Sequence, residues 1–256
     1  VWRWALATAV AALALFVIGV NALPAQAATL EEVPLLGPLV RVFTFVEYRS
    51  DAGAGARIRI ARVEGLNNQA LEDVINAELR ASGEAFLAEY EADVAALEAE
   101  LGSEAVRMGV ETFYEVMASN DEVFSLRVEY FWVAGGSAVS FYFYTVNQRT
   151  GEMITLDAIF RPDSDYLAVI NAYLLEQMAA ENAAAGHPLY FIEEDDPYTE
   201  PFAGIGADHN FYINDEGKLV IAFDEYEVAS GAMGTPEFVI PTELIAGMLA
   251  EGAPIH

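Results

Sequence analysis

A chain of 256 residues with 54% hydrophobic content is long enough to bury one large or two small cores. Its net charge of -28, from 40 acidic residues against 12 basic ones of which only Lys218 is lysine, argues against nucleic acid and anionic membrane surfaces as partners; it suits a cationic protein, or simply a coat that favours solubility. There is no cysteine, which excludes disulfides, thiol catalysis and cysteine-zinc sites.

The chain begins with an address. Trp2-Arg3-Trp4 gives a short basic flank, Ala5 to Val20 carries no charge, and Leu23-Pro24-Ala25-Gln26-Ala27 ends in the small-x-small pattern that a signal peptidase accepts. Residues 1–27 are therefore expected to be a signal peptide or a membrane anchor, which places the rest outside the cytoplasm, with the membrane met only through that segment. The run is short for a span, which needs about 20 residues, although Ala5 to Leu23 nearly reaches. Residues 28–39 hold two prolines and read as a linker.

Val40 to Tyr48 and Arg57 to Ile60 alternate as strands do, and the glycines and alanines of Asp51 to Ala56 make a turn between them, so an antiparallel pair is expected. From Asn67 the period changes to three and four: Leu71, Ile75, Leu79, Phe86, Tyr90, Val94 and Leu101 mark one face of a long helix, with Gly83 as a weak point and Gly102 as its stop. Three β-patterned runs follow, Val106 to Met117, Glu122 to Val133 and Val139 to Val146. The last carries large side chains on both faces, as a strand in mid-sheet under a helix would. Asn147 to Gly151 is a turn and Met153 to Leu156 a further extended run. A second helix starts at Asp163 or Asp165, uses Tyr166, Ile170, Leu174 and Met178 as its buried side, and stops at Gly186.

His187 to Gly206 reads as a surface loop. Its acid run, Glu193-Glu194-Asp195-Asp196, points its carboxylates in opposing directions, so neither a metal site nor a cofactor is expected. The stretch from Asp208 to Pro241 reads as the element on which the chain is organised: a hairpin around Asn214-Asp215-Glu216-Gly217, an irregular loop at Ser230 to Gly234, and a strand from Glu237 to Ile240. Thr242 is then placed to cap a short helix running to Leu249. The fold class is α+β: antiparallel sheets with two main helices packed on them and a short C-terminal helix. Residues 40–252 form one extracellular unit with halves at 40–146 and 147–252.

No GxSxG, HExxH, P-loop or GxGxxG is present, so no catalytic residue is assigned. A nucleophilic pair would need Ser137 or Ser230 beside His187 or His209. Carboxylate pairs are everywhere in a chain with 40 acids and say nothing about glycosidase chemistry.

The order of long helix, paired strands, Gly135-Gly136 loop, the block Asn147 to Phe160, second helix and the block Asn210 to Ile240 resembles the extracellular domain of the RsiV-like family. That family covers RsiV-type anti-sigma factors and is similar to accessory domains of PdaC-type deacetylases and to certain secreted mycobacterial antigens. The resemblance implies a non-enzymatic secreted or membrane-tethered binding domain of the cell envelope, which in the RsiV branch receives lysozyme and thereby lets signal peptidase cut the anchored protein. It also implies that two loops make the contact, here Gly135, Gly136 and Ser137 together with Ser230, Gly231 and Met233. Ser137-Ala138 stands where the family often has Ala-His after the two glycines, and Ala229 to Ala232 where it often carries proline and tyrosine. Trp132, Tyr226 and Met233 are the side chains able to anchor a partner there, or else they belong to the core. The partner would be lysozyme, another basic envelope protein, or peptidoglycan. The alternative is an accessory module of a peptidoglycan-acting enzyme, or such an enzyme itself.

Overall fold

The computed structural model describes residues 40–50, 55–103, 106–193 and 200–256. The expected export segment 1–27, the linker 28–39, most of the first turn and the acids Glu194, Asp195 and Asp196 lie outside these residues.

β1 (Arg41–Ser50) and β2 (Gly55–Glu64) pair antiparallel, as alternation predicts, with a bulge at Phe45 where the register shifts between Thr44 and Val46. Ile58 and Ile60 point into the core and Arg57 and Arg59 point away. The chain then turns into α1 (Gln69–Leu101). The side chain of Asn68, itself extended, accepts the amides of Ala70 and Leu71 at 3.0 and 3.2 Å, which satisfies donors that a helix start leaves open. Glu72 is buried but not idle: its Oε2 accepts the amides of Gly65 and Leu66, so the carboxylate ties strand to helix.

Gly83 is a contact rather than a weak point. The helix runs through it unbroken, and a Cβ there would lie 2.7 Å from Ile60 Cγ1, so glycine is what lets α1 lie against β2. Ile75, Leu79, Tyr90 and Val94 fill the stripe on either side, and Gly102 ends the helix at φ 85°.

A six-stranded sheet is completed by β3 (Gly109–Ser119), β4 (Val123–Val133), β5 (Ser137–Asn147) and β6 (Glu152–Met153), in the order β1-β2-β3-β4-β5-β6. It is antiparallel except between β2 and β3, whose parallel register spans only Gly55↔Gly109 to Arg57↔Glu111. Beyond that point the Thr112 hydroxyl takes over, accepting the Arg59 amide at 2.7 Å and donating to the Arg59 carbonyl at 2.9 Å. One sheet face carries Phe124, Leu126, Val128, Tyr144 and Val146 against α1 and forms the first core.

β5 is not the mid-sheet strand that its two apolar faces suggest. β6 pairs only with Val146 and Asn147, so most of β5 is an edge, and Tyr142 on it is 65% exposed. Its second face is apolar because the C-terminal half packs there: Tyr212 stacks on Phe143 at 5.3 Å, and Ser125 Oγ donates to the Ile213 carbonyl at 2.9 Å.

That half holds α2 (Tyr166–Ala185) and a three-stranded sheet of β7 (Phe211–Ile213), β8 (Leu219–Ala222) and β9 (Glu237–Val239). The hairpin around Asn214 to Gly217 is as expected, with the Asn214 side chain accepting the amides of Glu216 and Lys218. The sheet is small, however, and it packs on the larger N-terminal sheet rather than organising it. Its core joins Ile170, Leu174 and Met178 of α2 to Ile213, Ile221, Phe223 and Ile240. Asparagine amides clamp the loops to α2: Asn171 bonds both backbone groups of Ile205, and Asn182 accepts the amides of Leu189 and Tyr190 while donating to the Tyr190 carbonyl.

Two helix caps differ from expectation. Asp165 occupies the cap position of α2 without a side-chain bond, and Pro241 rather than Thr242 precedes α3 (Thr242–Ile245), which passes into a 3₁₀ turn at Ala246–Met248. Thr242 instead donates to the His256 carbonyl and accepts from Lys218, pinning the last residue of the chain to the hairpin. Among the described residues no helix is long and apolar enough to cross a membrane.

Candidate functional site

The first of the two glycine bends closes the β4–β5 hairpin. Val133 pairs with Ser137, the Ala134 amide donates to the Gly136 carbonyl at 2.8 Å, and Gly135 sits at φ 77°, a conformation that a residue with a Cβ adopts only with strain. Gly135, Gly136 and Ser137 are exposed, and an added Cβ on either glycine would meet nothing within 4 Å. Packing therefore does not dictate glycine there; turn geometry and open space do.

The second bend begins where the buried run Leu219 to Phe223 ends, at Asp224. The Asp224 amide donates to Glu227 Oε2 at 2.9 Å and the Glu227 amide returns to the Asp224 carbonyl at 3.2 Å, a tight turn that throws Tyr226 outward. Tyr226 is 53% exposed and, among the described residues, is the one non-glycine with positive φ, at 70°. An αL tyrosine is uncommon, costs on the order of 1–3 kcal/mol and persists only where its surroundings fix it. Its ring lies over Gly231, where a Cβ would come within 2.5 Å of the phenolic oxygen, so the glycine is required for the tyrosine to lie flat. Ser230 and the 3₁₀ turn Gly231–Met233 follow, held by the Met233 amide on the Ser230 carbonyl.

Two hydrogen bonds join the bends. The Glu225 amide donates to the Val139 carbonyl at 3.1 Å, and the Phe141 amide donates to Asp224 Oδ1 at 2.9 Å. Val139 is three residues beyond Gly136, roughly 10 Å along a strand at ~3.4 Å per residue, so the second bend is fastened to β5 about that far from the first, toward the same end of the larger sheet. Burial raises the pKa of Asp224, the Phe141 amide opposing it, and burial raises that of Glu227 as well. His209 lies tilted against Phe223 with ring centroids 4.7 Å apart and Nδ1 3.6 Å from Glu227; desolvation holds its pKa below the ordinary value, and among the described residues its buried Nε2 has no hydrogen-bond partner.

The anchors predicted from sequence divide. Tyr226 is at the surface. Trp132 is half-buried against the core beneath α1, and Met233 packs on the C-terminal core, so these two support the bends more than they present themselves. Asp224, Glu225, Val139 and Phe141, which fasten the second bend to β5, were not singled out; the one local signal was the end of the apolar run Leu219 to Phe223 at Asp224. Neither Ser137 nor Ser230 hydrogen-bonds to a histidine: His187 Nδ1 lies 3.1 Å from the Ala185 carbonyl, and His209 faces Glu227.

The outer face of the larger sheet leads away from these bends and is lined with ion pairs. Arg57 and Arg59 meet Glu111, Arg57 and Arg49 meet Glu47, and Arg127 is shared by Glu115 and Glu237.

Comparison with known proteins places this architecture. Residues 157–243 match the family described as protein of unknown function (DUF3298). Over 247 residues, 96% of this chain and 84% of the relative, the sequence is 29% identical to anti-sigma-V factor RsiV of Bacillus subtilis (strain 168). Two solved structures share the fold: a DUF3298 family member from Bacteroides fragilis NCTC 9343, with TM-score 0.59 and 16% identity over 83% of this chain and 94% of that one, and a DUF3298 family protein from Pseudomonas aeruginosa PAO1, with TM-score 0.53 and 14% identity over 84% and 96%.

Proposed function

We propose, for a chain that is RsiV-like in sequence along almost its whole length, a non-enzymatic binding domain of the cell envelope that receives a basic protein, lysozyme being the partner the resemblance points to. The two glycine bends are the contact, with Tyr226 as the exposed anchor and Trp132 and Met233 as its support. The observation that carries this reading is the pair of hydrogen bonds from Glu225 to Val139 and from Phe141 to Asp224, which makes one rim of two turns far apart in sequence. A strained αL tyrosine held flat on a glycine at that rim fits a pre-formed contact, and such ordering before binding lowers the entropic cost of association. The acidic chain would also steer a cationic partner toward it, an effect that weakens as salt is added.

The domain acts outside the cytoplasm, secreted or tethered through residues 1–27, and residues 40–252 form the receptor unit. Calorimetric titration of the protein with lysozyme at low and moderate salt tests the reading, paired with an assay for soluble product from purified peptidoglycan. Saturable binding that weakens with salt, and no product, is expected. Product release would replace the receptor by an enzyme.

A further inference from the structure

On the outer face of the larger sheet Glu129 stands apart from its neighbours. Glu47, Glu111, Glu115 and Glu237 all have arginine partners, whereas Glu129 has no hydrogen bond or ion pair among the described residues. Every arginine around it is already engaged. Strand register sets it directly between Phe113 of β3 and Phe141 of β5, with Phe131 two residues along the same face. Phe113 is 37% exposed and already lies under a guanidinium, that of Arg59 at 5.2 Å, while Phe141 carries Arg127 at 4.9 Å. The C-terminal half covers this face near Phe143 and along the edge at Phe141, and α1 covers the opposite face. Among the described residues Phe113 is exposed while Glu129 and Phe131 are half-buried, and this strip runs along β4 toward the Gly135-Gly136 turn.

We infer that this strip is a receptor for one arginine or lysine side chain of a basic protein partner, seated between the Glu129 carboxylate and the faces of Phe113 and Phe131. The inference rests on the reading that the domain binds a basic protein, and it extends the contact from the two bends onto the sheet. The chemistry is specific to a cation. A desolvated carboxylate without a counter-ion is unfavourable, and aromatic faces beside it attract a guanidinium or ammonium further. Burial raises the Glu129 pKa and outweighs the opposing pull of Arg127, whose guanidinium is bonded to Glu115 and Glu237. The -28 charge of the chain supplies the complementarity.

The test is affinity for two cationic probes, lysozyme and a tetra-arginine peptide, measured on the whole protein, on Glu129→Gln, and on Glu91→Gln, an equal charge change on the exposed side of α1. Glu129→Gln should weaken both probes on the order of tenfold, and Glu91→Gln by less than about twofold. Glu129→Gln should melt no lower than the parent, because it removes an unpaired charge, so a loss of binding would not reflect unfolding. If the peptide binds with this sensitivity and lysozyme does not bind, the strip stands and lysozyme is the wrong partner. If lysozyme binds the parent and Glu129→Gln alike, the strip is wrong while the bends keep their role. If neither probe binds the parent, or the two variants behave alike, the inference is overturned.

Discussion

The two cores of this molecule are built by different means. Under α1 the strands β1 to β5 are ten or eleven residues long and the helix has 33, so register and stripe fix most of the packing, and side-chain bonds such as those of Glu72 and Thr112 supplement them. Around α2 the strands have three or four residues, and asparagine amides, a half-buried histidine and the Lys218–Thr242–His256 contact hold loops that no ladder supports. A long periodic element stabilises itself through repetition, whereas a loop-rich one depends on single bonds. The rim proposed as the contact lies where the two meet.

Truncation in either core sets the scale of that contrast. Leu79→Ala on α1 and Ile170→Ala on α2 each remove a fully packed side chain and should each cost about 2–5 kcal/mol. Because β4 contributes Phe124 to one core and Val123 to the other, urea unfolding should remain a single transition in both variants. Two separated transitions would mean that the cores are independent.

Single bonds should then matter unequally. Asn182→Ala strands three backbone groups, the amides of Leu189 and Tyr190 and the Tyr190 carbonyl, and should cost about 1–3 kcal/mol, more than Asn76→Ala, which strands two, the amide and carbonyl of Val63. Equal losses would erase the distinction between the halves. Gly83→Ala, which drives a methyl into Ile60, should lower stability by about 1–3 kcal/mol despite alanine's better helix propensity. A gain instead would show that α1 has room to move off β2.

Acid should act through His209 in the C-terminal half. Its folded pKa is depressed, so its contribution to stability is present above the unfolded value near 6.5 and is lost as pH falls through the folded value. Melting temperature, taken as wild type minus His209→Gln, should therefore fall as pH drops below about 6.5. A flat difference would mean that the imidazole is solvated. The smallest stability effects belong to the rim: Gly136→Ala, with open space about it, should stay within about 0.5 kcal/mol.

How much of this could be read in advance follows the same division. The alternation of Arg57 to Ile60, the stripe of α1 and the stops at Gly102 and Gly186 were legible because they repeat or end a repeat. The edge position of β5 was not, since a strand's two apolar faces do not reveal whether a helix or another sheet covers the second one. Nor was the role of Gly83, which depends on Ile60 more than twenty residues away in sequence. Both bends were visible as glycine clusters and Tyr226 as a large side chain beside one. Their union was hidden, because it is made by the Asp224 carboxylate and by the backbone of Glu225, neither of which leaves a periodic trace.

The central claim is that those joined bends receive a basic protein, and titration with lysozyme of the parent and of Tyr226→Ala tests it most directly. The account predicts saturable binding by the parent that falls with salt, and a loss on the order of tenfold for Tyr226→Ala at unchanged melting temperature. Equal affinity in the two proteins, or no binding by the parent at low salt, would contradict it.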